Sequence, residues 1–222
     1  MLEDEDDASY LAYVHEKIET RDTIIFGAGP SLESDLDGIK DYISRKKPAV
    51  IAADGAAEAL VEVGITADIV VSDLDSCPVE TLIDSCNKGL VFVHGHGDNH
   101  QLVRAIVPQL ACRKLGTTQV EPRQHIRNFG GFTDGDRACF IAAFFKPSRI
   151  VLAGMDFGDK EGRYSVNRYN VSDNPRRVLK LQWGKKSLEY LIQYARSIKF
   201  QNVTRHGMEV EGAGRISYEE LI

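Results

Sequence analysis

Five short runs constrain the fold more than anything else in the chain: "TIIF" (23–26), "AVIAA" (49–53), "DIVV" (68–71), "LVFV" (90–93) and "RIVLAG" (149–154). Each is apolar at consecutive rather than alternate positions, so as a strand each is buried on both faces. Segments of helical period stand between them. Leu32, Leu36, Ile39 and Ile43 mark one helix, and a short one around Leu60 is closed by Gly64. Another opens at Pro78 and carries Val79, Leu82 and Ile83, and a fourth carries Leu102, Val103 and Ile106. Tyr10, Leu11, Val14 and Ile18 predict an N-terminal helix, "TTQV" (117–120) a weaker strand, and "ACFIAAFF" (138–145), apolar all round, a buried helix. This alternation predicts an α/β fold, a Rossmann-like three-layer sandwich whose mostly parallel sheet is covered by helices on both faces.

The 222 residues suffice for one large core. We read them as a single domain, with 1–22 as an N-terminal helical extension. Residues 159–222 follow as a basic loop, a helix and C-terminal strands packed on the same core. A net charge of −6 argues against a general affinity for nucleic acid or anionic membrane. Residues 160–186, however, hold eight Lys/Arg against two acids, which suits either an anionic small ligand or a solvated face. Cys77, Cys86, Cys112 and Cys139 form no C-x-x-C pair and read as reduced thiols. No apolar run is long enough to span a membrane, and the acidic start "MLEDEDDAS" is unlike a signal peptide, so the expected location is cytoplasmic.

In an open parallel sheet, ligands bind beyond the carboxyl ends of the strands. The polar punctuation collects there. The first run exits into Gly27, Ala28, Gly29, Pro30 and Ser31, the second into Asp54 and Gly55, and the third into Asp73 and Asp75. The fourth exits into His94, His96, Asp98 and Asn99, and the fifth into Asp156. Thr133, Asp134 and Asp136 precede the buried helix. Taken singly, Asp134 and Asp54 are equally readable as caps, and the histidines as loop residues. Together, carboxylates on one edge repel one another, and a divalent cation relieves that repulsion. Oxygen-only donors suit Mg²⁺, with Asp73 and Asp75 as ligands and Asp54 as a third ligand or neighbour. The glycine loop, with Leu32 where a third glycine would complete G-x-G-x-x-G, is expected to bring backbone donors to a phosphate.

Within this frame, "AADGAAEALVEVGITADIVVSDLDS" resembles the metal-binding block of thiamin pyrophosphokinases. "GAGPSL", "NFGGFTDGDRA" and "LAGMDFG" resemble the archaeal 6-hydroxymethyl-7,8-dihydropterin pyrophosphokinases, a group related in fold to the thiamin enzymes. The likeness runs from about Ile24 to Gly158, with a weaker echo in the helix beginning near Arg176. It implies a thiamin-pyrophosphokinase-like catalytic domain and ATP with Mg²⁺. It also implies transfer of a whole diphosphate to a hydroxymethyl group with release of AMP, in folate or methanopterin biosynthesis. The 64 residues after Gly158 are too few for the C-terminal β-sandwich of the thiamin enzymes, and their D-x-x-x-T-D motif is here split between Asp98 and Thr133-Asp134.

On this basis the expected ATP-binding residues are Gly27, Gly29, Pro30, Ser31, Gly55, Thr133, Asp134, Arg176 and Arg177. Thr133, Asp134 and Asp136 are candidates for a second metal or the ribose. The expected pterin-side residues are Asp98, Asn99, His94 and Asp156, with Asp98 on the aminopyrimidine edge. A one-edge nucleotide site also sets the expectation of a homodimer. Besides a thiamin acceptor, two alternatives remain open. One is a metal-dependent nucleotide-sugar transferase, since Asp73-Leu74-Asp75 is a D-x-D motif. The other is a non-catalytic NAD- or nucleotide-binding module, with Asp54 as the ribose acid.

Overall fold

The computed structural model describes residues 4–123, 125–166 and 176–221. The five apolar runs are five of nine strands: β1 (Asp22–Phe26), β2 (Ala49–Ala53), β3 (Ile69–Ser72), β4 (Leu90–Gly95) and β7 (Arg149–Ala153). Between β4 and β7 stand β5 (Lys114–Thr118) and β6 (Ile126–Arg127); β8 (Lys199–Asn202) and β9 (Gly214–Arg215) complete the sheet. Its order is β6-β5-β4-β3-β2-β1-β7-β8-β9, and every pairing between these strands is parallel. The chain thus steps outward from β1 to β6, returns to the other side of β1, and steps outward again. The reversal between β1 and β7 is a topological switch point, where the connections diverge and leave a crevice at the carboxyl edge.

Parallel strands need a crossover between each pair, and helices supply it. α2 (Leu32–Lys46), α3 (Ala56–Glu62), α4 (Val79–Lys88) and α5 (His100–Ile106) cover one face. Their Leu36, Ile39, Leu60, Leu82 and Ile106 share a core with Ile24, Phe26, Val70 and Val91. α1 (Asp4–Ile18), α6 (Asp134–Phe144) and α7 (Arg176–Tyr194) cover the other. There Val14, Ile18, Ile141 and Leu188, fully buried, meet Ile25, Ile51, Val71 and Leu152. Successive residues of one strand feed opposite cores, which is why the strands carry no polar alternation.

Three local expectations are corrected. The strand expected at 117–120 lies at Lys114–Thr118, because Leu115 is its fully buried residue and the chain turns after Thr118. The helix over 138–145 is not buried all round: Phe144 is 65% exposed, its ring set edge-on against Phe129 and Phe145. The four cysteines are not all free. Cys86, at the end of α4, and Cys112, in the loop before β5, are disulfide-bonded with Cα atoms 5.6 Å apart. Adjacent parallel strands begin at one edge, so the last turn of α4 and the loop before β5 meet there although the two cysteines are 26 positions apart in sequence. Cys77 and Cys139 are buried and stand outside the disulfide. No helix among the described residues is long and apolar enough to cross a membrane.

Candidate active site

The end of β3 builds the centre. Leu74, between the two aspartates, has φ of 73° and is fully buried. A left-handed leucine is sterically unfavourable and persists only where its surroundings hold it. Here the side chain is locked in the core, and the Leu74 N–H donates to Ser72 Oγ at 2.8 Å. Asp54, just after β2, is also left-handed at φ 44°, which a short polar residue tolerates better. Its carboxylate accepts hydrogen bonds from Ser72 Oγ (2.5 Å), Ser76 N (3.0 Å) and Cys77 N (3.3 Å). Carboxylate oxygens of Asp54, Asp73 and Asp75 thereby lie within 4.8 Å of one another.

The electrostatics follow from that convergence. Burial, then the charges of Asp73 and Asp75, push Asp54 up to about 7. Burial and Asp73 raise Asp75. Asp134, at the start of α6, is raised well above the carboxylate range by burial and by Asp73 and Asp54. Asp73 alone is lowered: against its own burial, a hydrogen bond from His96 and the charge of Lys180 favour the anion. His96 Nε2 stands 3.5 Å from Asp73 Oδ2, and this contact raises the imidazole. Although burial opposes its charge, the carboxylates of Asp134, Asp73, Asp75 and Asp54 raise Lys180. Three mutually repelling oxygen donors at one point fit a hard divalent cation such as Mg²⁺ and no soft metal.

A cavity of about 420 Å³ opens from this cluster over the β1/β7 switch point. Gly27, Gly29, Pro30, Gly55, Thr133, Asp134, Asp156, Arg177 and Lys180 line it, so most of the expected nucleotide residues share one wall. The glycine loop nevertheless works differently from expectation. Neither Gly27 nor Gly29 has a positive φ. Gly29 is needed for close approach, since a Cβ there would collide with the Asp156 carboxylate and lie 2.6 Å from Gly154 O. Most of the row of free donors is also missing, and among the described residues only the Ala28 N–H of the loop is left without an acceptor. Gly27 N donates to Ala153 O (2.9 Å), Gly29 N to Gly154 O (2.9 Å) and Ser31 N to Asp156 Oδ2 (3.1 Å), while Pro30 has no N–H. The loop is a close-packed floor with one uncommitted backbone donor, the Ala28 N–H, at the cavity. Ser31 is buried behind it with its hydroxyl donating to Asp156 at 2.6 Å, and Asp156, expected among the pterin-side residues, lines this first cavity. Arg177 reaches the cavity but is paired with Glu161 and donates to Ser165 Oγ at 2.6 Å. The side chain of Arg176 lies outside the described residues.

A second cavity of about 540 Å³ lies on the far side of Asp73, lined by His94, His96, Asp98, Gln119, Phe132, Arg137, Leu179 and Trp183. His94 and Asp98, both expected on the pterin side, line this one cavity together. His94 is buried, and its Nδ1 lies 3.0 Å from Thr117 Oγ1. Asn99 does not line the cavity. Its amide donates to Asp73 O (2.8 Å) and His94 O (2.7 Å) and accepts from His96 N (3.1 Å), so it positions the site without facing it. Asp136, expected near a metal or ribose, is instead the capping carboxylate of α6. It accepts from Phe132 N (2.6 Å), Thr133 N (2.7 Å) and Thr133 Oγ1 (2.5 Å). Asp134 is thereby released from capping and faces the carboxylate cluster.

Sequence reasoning missed Lys180, Trp183, Phe132, Arg137 and Gln119. Arg137 is fully buried, with Nη1 donating to Gly130 O at 3.1 Å. The signal for the α7 residues was spacing: Lys180, Trp183 and Gly184 fall on one side of the helix. Gly184 is the reason that side reaches the site. A Cβ there would lie 3.0 Å from Thr133 and 3.1 Å from Asp136 Oδ1, so glycine lets α7 cross close above the start of α6.

The chain is similar to known proteins in sequence and in fold. A family model described as 6-hydroxymethylpterin diphosphokinase MptE-like matches residues 4–162. A 6-hydroxymethyl-7,8-dihydropterin pyrophosphokinase from Methanothermobacter thermautotrophicus is 42% identical over 203 residues, with 85% of each chain covered. One of the same name from Methanocaldococcus jannaschii is 40% identical over 187 residues, covering 78% of this chain and 76% of that one. Among solved structures, the MAf glycosyltransferase from Magnetospirillum magneticum AMB-1 is similar at a TM-score of 0.56 and 15% identity, over 98% of this chain and 39% of that one. That likeness is one of fold.

Proposed function

The chain belongs to the 6-hydroxymethylpterin diphosphokinase MptE-like family, and from that premise we propose that it transfers diphosphate from ATP to 6-hydroxymethyl-7,8-dihydropterin. AMP and the pterin diphosphate are the products, Asp54, Asp73 and Asp75 hold Mg²⁺, and the setting is the cytoplasm, in folate or methanopterin biosynthesis. The observation that carries the reading is the pair of cavities. They share Asp73, Thr133, Asp134 and Lys180, so a donor in one and an acceptor in the other meet at the carboxylate cluster.

The bound cation supplies neutralisation of phosphate charge at the point of transfer. The remaining work belongs to side chains. The cavity at the switch point takes the nucleotide over the floor formed by Gly27, Gly29 and Pro30. The cavity beyond Asp73 takes the pterin, with Trp183 and Phe132 as apolar surface for a flat ring and Asp98 at its mouth for an aminopyrimidine edge. The hydroxymethyl oxygen bonds to the β-phosphorus, the bond from that phosphorus to the bridging oxygen of AMP breaks, and the hydroxyl proton is released. Holding both reactants across one wall replaces an encounter in solution with a fixed approach.

The test is incubation with ATP, Mg²⁺ and 6-hydroxymethyl-7,8-dihydropterin, followed by separation of nucleotides and pterins. AMP and pterin diphosphate in equal amounts support the reading. ADP with a pterin monophosphate, or no consumption of the pterin, overturns it.

A further inference from the structure

We propose that Lys180 is a catalytic residue that grips the diphosphate itself, on the donor before transfer and on the product after it. This rests on the functional reading above and assigns the cation that holds the transferred group. Three of the four backbone donors of the glycine loop are committed to Ala153, Gly154 and Asp156, which leaves the Ala28 N–H alone, so most of the phosphate recognition falls to side chains. Arg177 is tied to Glu161 and Ser165. Lys180 differs on both counts. It is the cation that lines both cavities. Among the described residues, its ammonium forms no direct ion pair, although it stands within the field of Asp134, Asp73, Asp75 and Asp54.

A strongly hydrated ammonium facing four carboxylates without contacting one leaves polar space between them. A diphosphate is the group in this reaction that occupies such a space and carries enough negative charge to need a cation there. Transfer moves that group from one cavity to the other: the Pβ–O bond to AMP breaks and the bond from the pterin oxygen to Pβ forms. AMP and the pterin alcohol each stay on their own side of the junction. A lysine seated in both walls on a flexible stem follows the group across without giving it up. The close crossing of α7 at Gly184, one turn further on, fixes where that stem begins.

The experiment is a binding panel by calorimetry with α,β-methylene-ATP and Mg²⁺, AMP, pterin diphosphate and the pterin alcohol. It compares wild type, Lys180→Met and Lys180→Arg. Lys180→Met is expected to bind α,β-methylene-ATP and pterin diphosphate about 10- to 100-fold more weakly, the range for losing a hydrogen bond to a charged group. AMP and the pterin alcohol should stay within about twofold, and Lys180→Arg should recover part of the loss. Equal binding of all four ligands by Lys180→Met, or an equal loss for all four, overturns the assignment. Wild type that binds neither diphosphate-bearing ligand overturns the functional reading on which it stands.

Discussion

Ser31 Oγ donates a 2.6 Å hydrogen bond to the Asp156 carboxylate, and this latches the loop leaving β1 to the loop leaving β7. The same carboxylate takes Ser31 N at 3.1 Å. Asp35, buried on α2, answers from the other side by accepting Gly154 N at 2.7 Å. Strands β1 and β7 are adjacent but their helices pack on opposite faces, so nothing in the layer structure closes the gap between their ends. The latch does, and the cavity over the switch point sits on it.

Gly29→Val tests the latch. The added side chain meets the Asp156 carboxylate and Gly154 O, so the loop shifts. Overpacking of this kind costs about 1–3 kcal/mol. The expected result is a lower melting temperature together with a KM for ATP raised about tenfold, an order-of-magnitude expectation for a 1.4 kcal/mol loss. Asp156→Ala should move both in the same direction by leaving Ser31 unpaired. Unchanged kinetics in both variants would separate the loop from the nucleotide.

Asp73→Asn and Asp75→Asn should each lower turnover by about 100-fold or more, since metal neutralisation of phosphate is worth several kcal/mol. Stability should not follow. Asp75 is raised by its own burial and by Asp73, so removing its charge relieves repulsion in the metal-free protein. The melting temperature of Asp75→Asn without divalent ion should equal or exceed that of wild type. The gain on adding Mg²⁺, about 2.7 kcal/mol at 100-fold excess over Kd for a true ligand, should shrink. Normal turnover at limiting Mg²⁺ would reject the metal assignment.

The fold was readable because its main strands are buried on both faces and announce themselves by composition. Asp54, Asp73 and Asp75 were readable for a related reason: a carboxylate directly after such a strand has one edge of one sheet to occupy. Residues whose roles depend on distant partners were not readable. Ser31, Asn99 and Asp136 were expected to face ligands, but their polar atoms are consumed by Asp156, by Asp73 and His94, and by Thr133. Lys180 and Trp183 stayed hidden among the other basic and apolar residues of α7. Their spacing with Gly184 puts them on one side of that helix, but it is the tertiary crossing that brings this side against Thr133.

Trp183→Ala tests the division of labour between the cavities. Trp183 lines only the second of them and is half exposed, with the Lys186 ammonium 5.0 Å above its ring. Stacking of a heteroaromatic base on an aromatic side chain is worth about 1–3 kcal/mol by alanine substitution. The KM for the pterin should therefore rise by about 10- to 100-fold, while the KM for ATP stays within about twofold. A loss confined to ATP would exchange the two cavities.

The last prediction concerns His94 and acid. Burial, then the charges of Arg137 and His96, depress its pKa to about 3, while Asp73 works the other way and Lys180 adds to the depression. Its Nδ1 is met by Thr117, and its Nε2 is buried without a hydrogen-bond partner among the described residues. The folded protein thus holds this ring neutral, whereas the unfolded chain protonates it near 6.5. Below that value the unfolded state binds one more proton at this position. Stability contributed by neutral His94 is complete above about pH 6.5 and is lost as pH falls toward 3. The slope approaches about 1.4 kcal/mol per pH unit for one proton. His94→Gln keeps a polar side chain that does not titrate. Its urea-unfolding free energy should fall less steeply than that of wild type between pH 6 and 4, by up to about one proton. At pH 8 it should show the plain cost of a core replacement. Parallel pH profiles for the two proteins would mean that His94 titrates normally and that the wall of the second cavity is open to water.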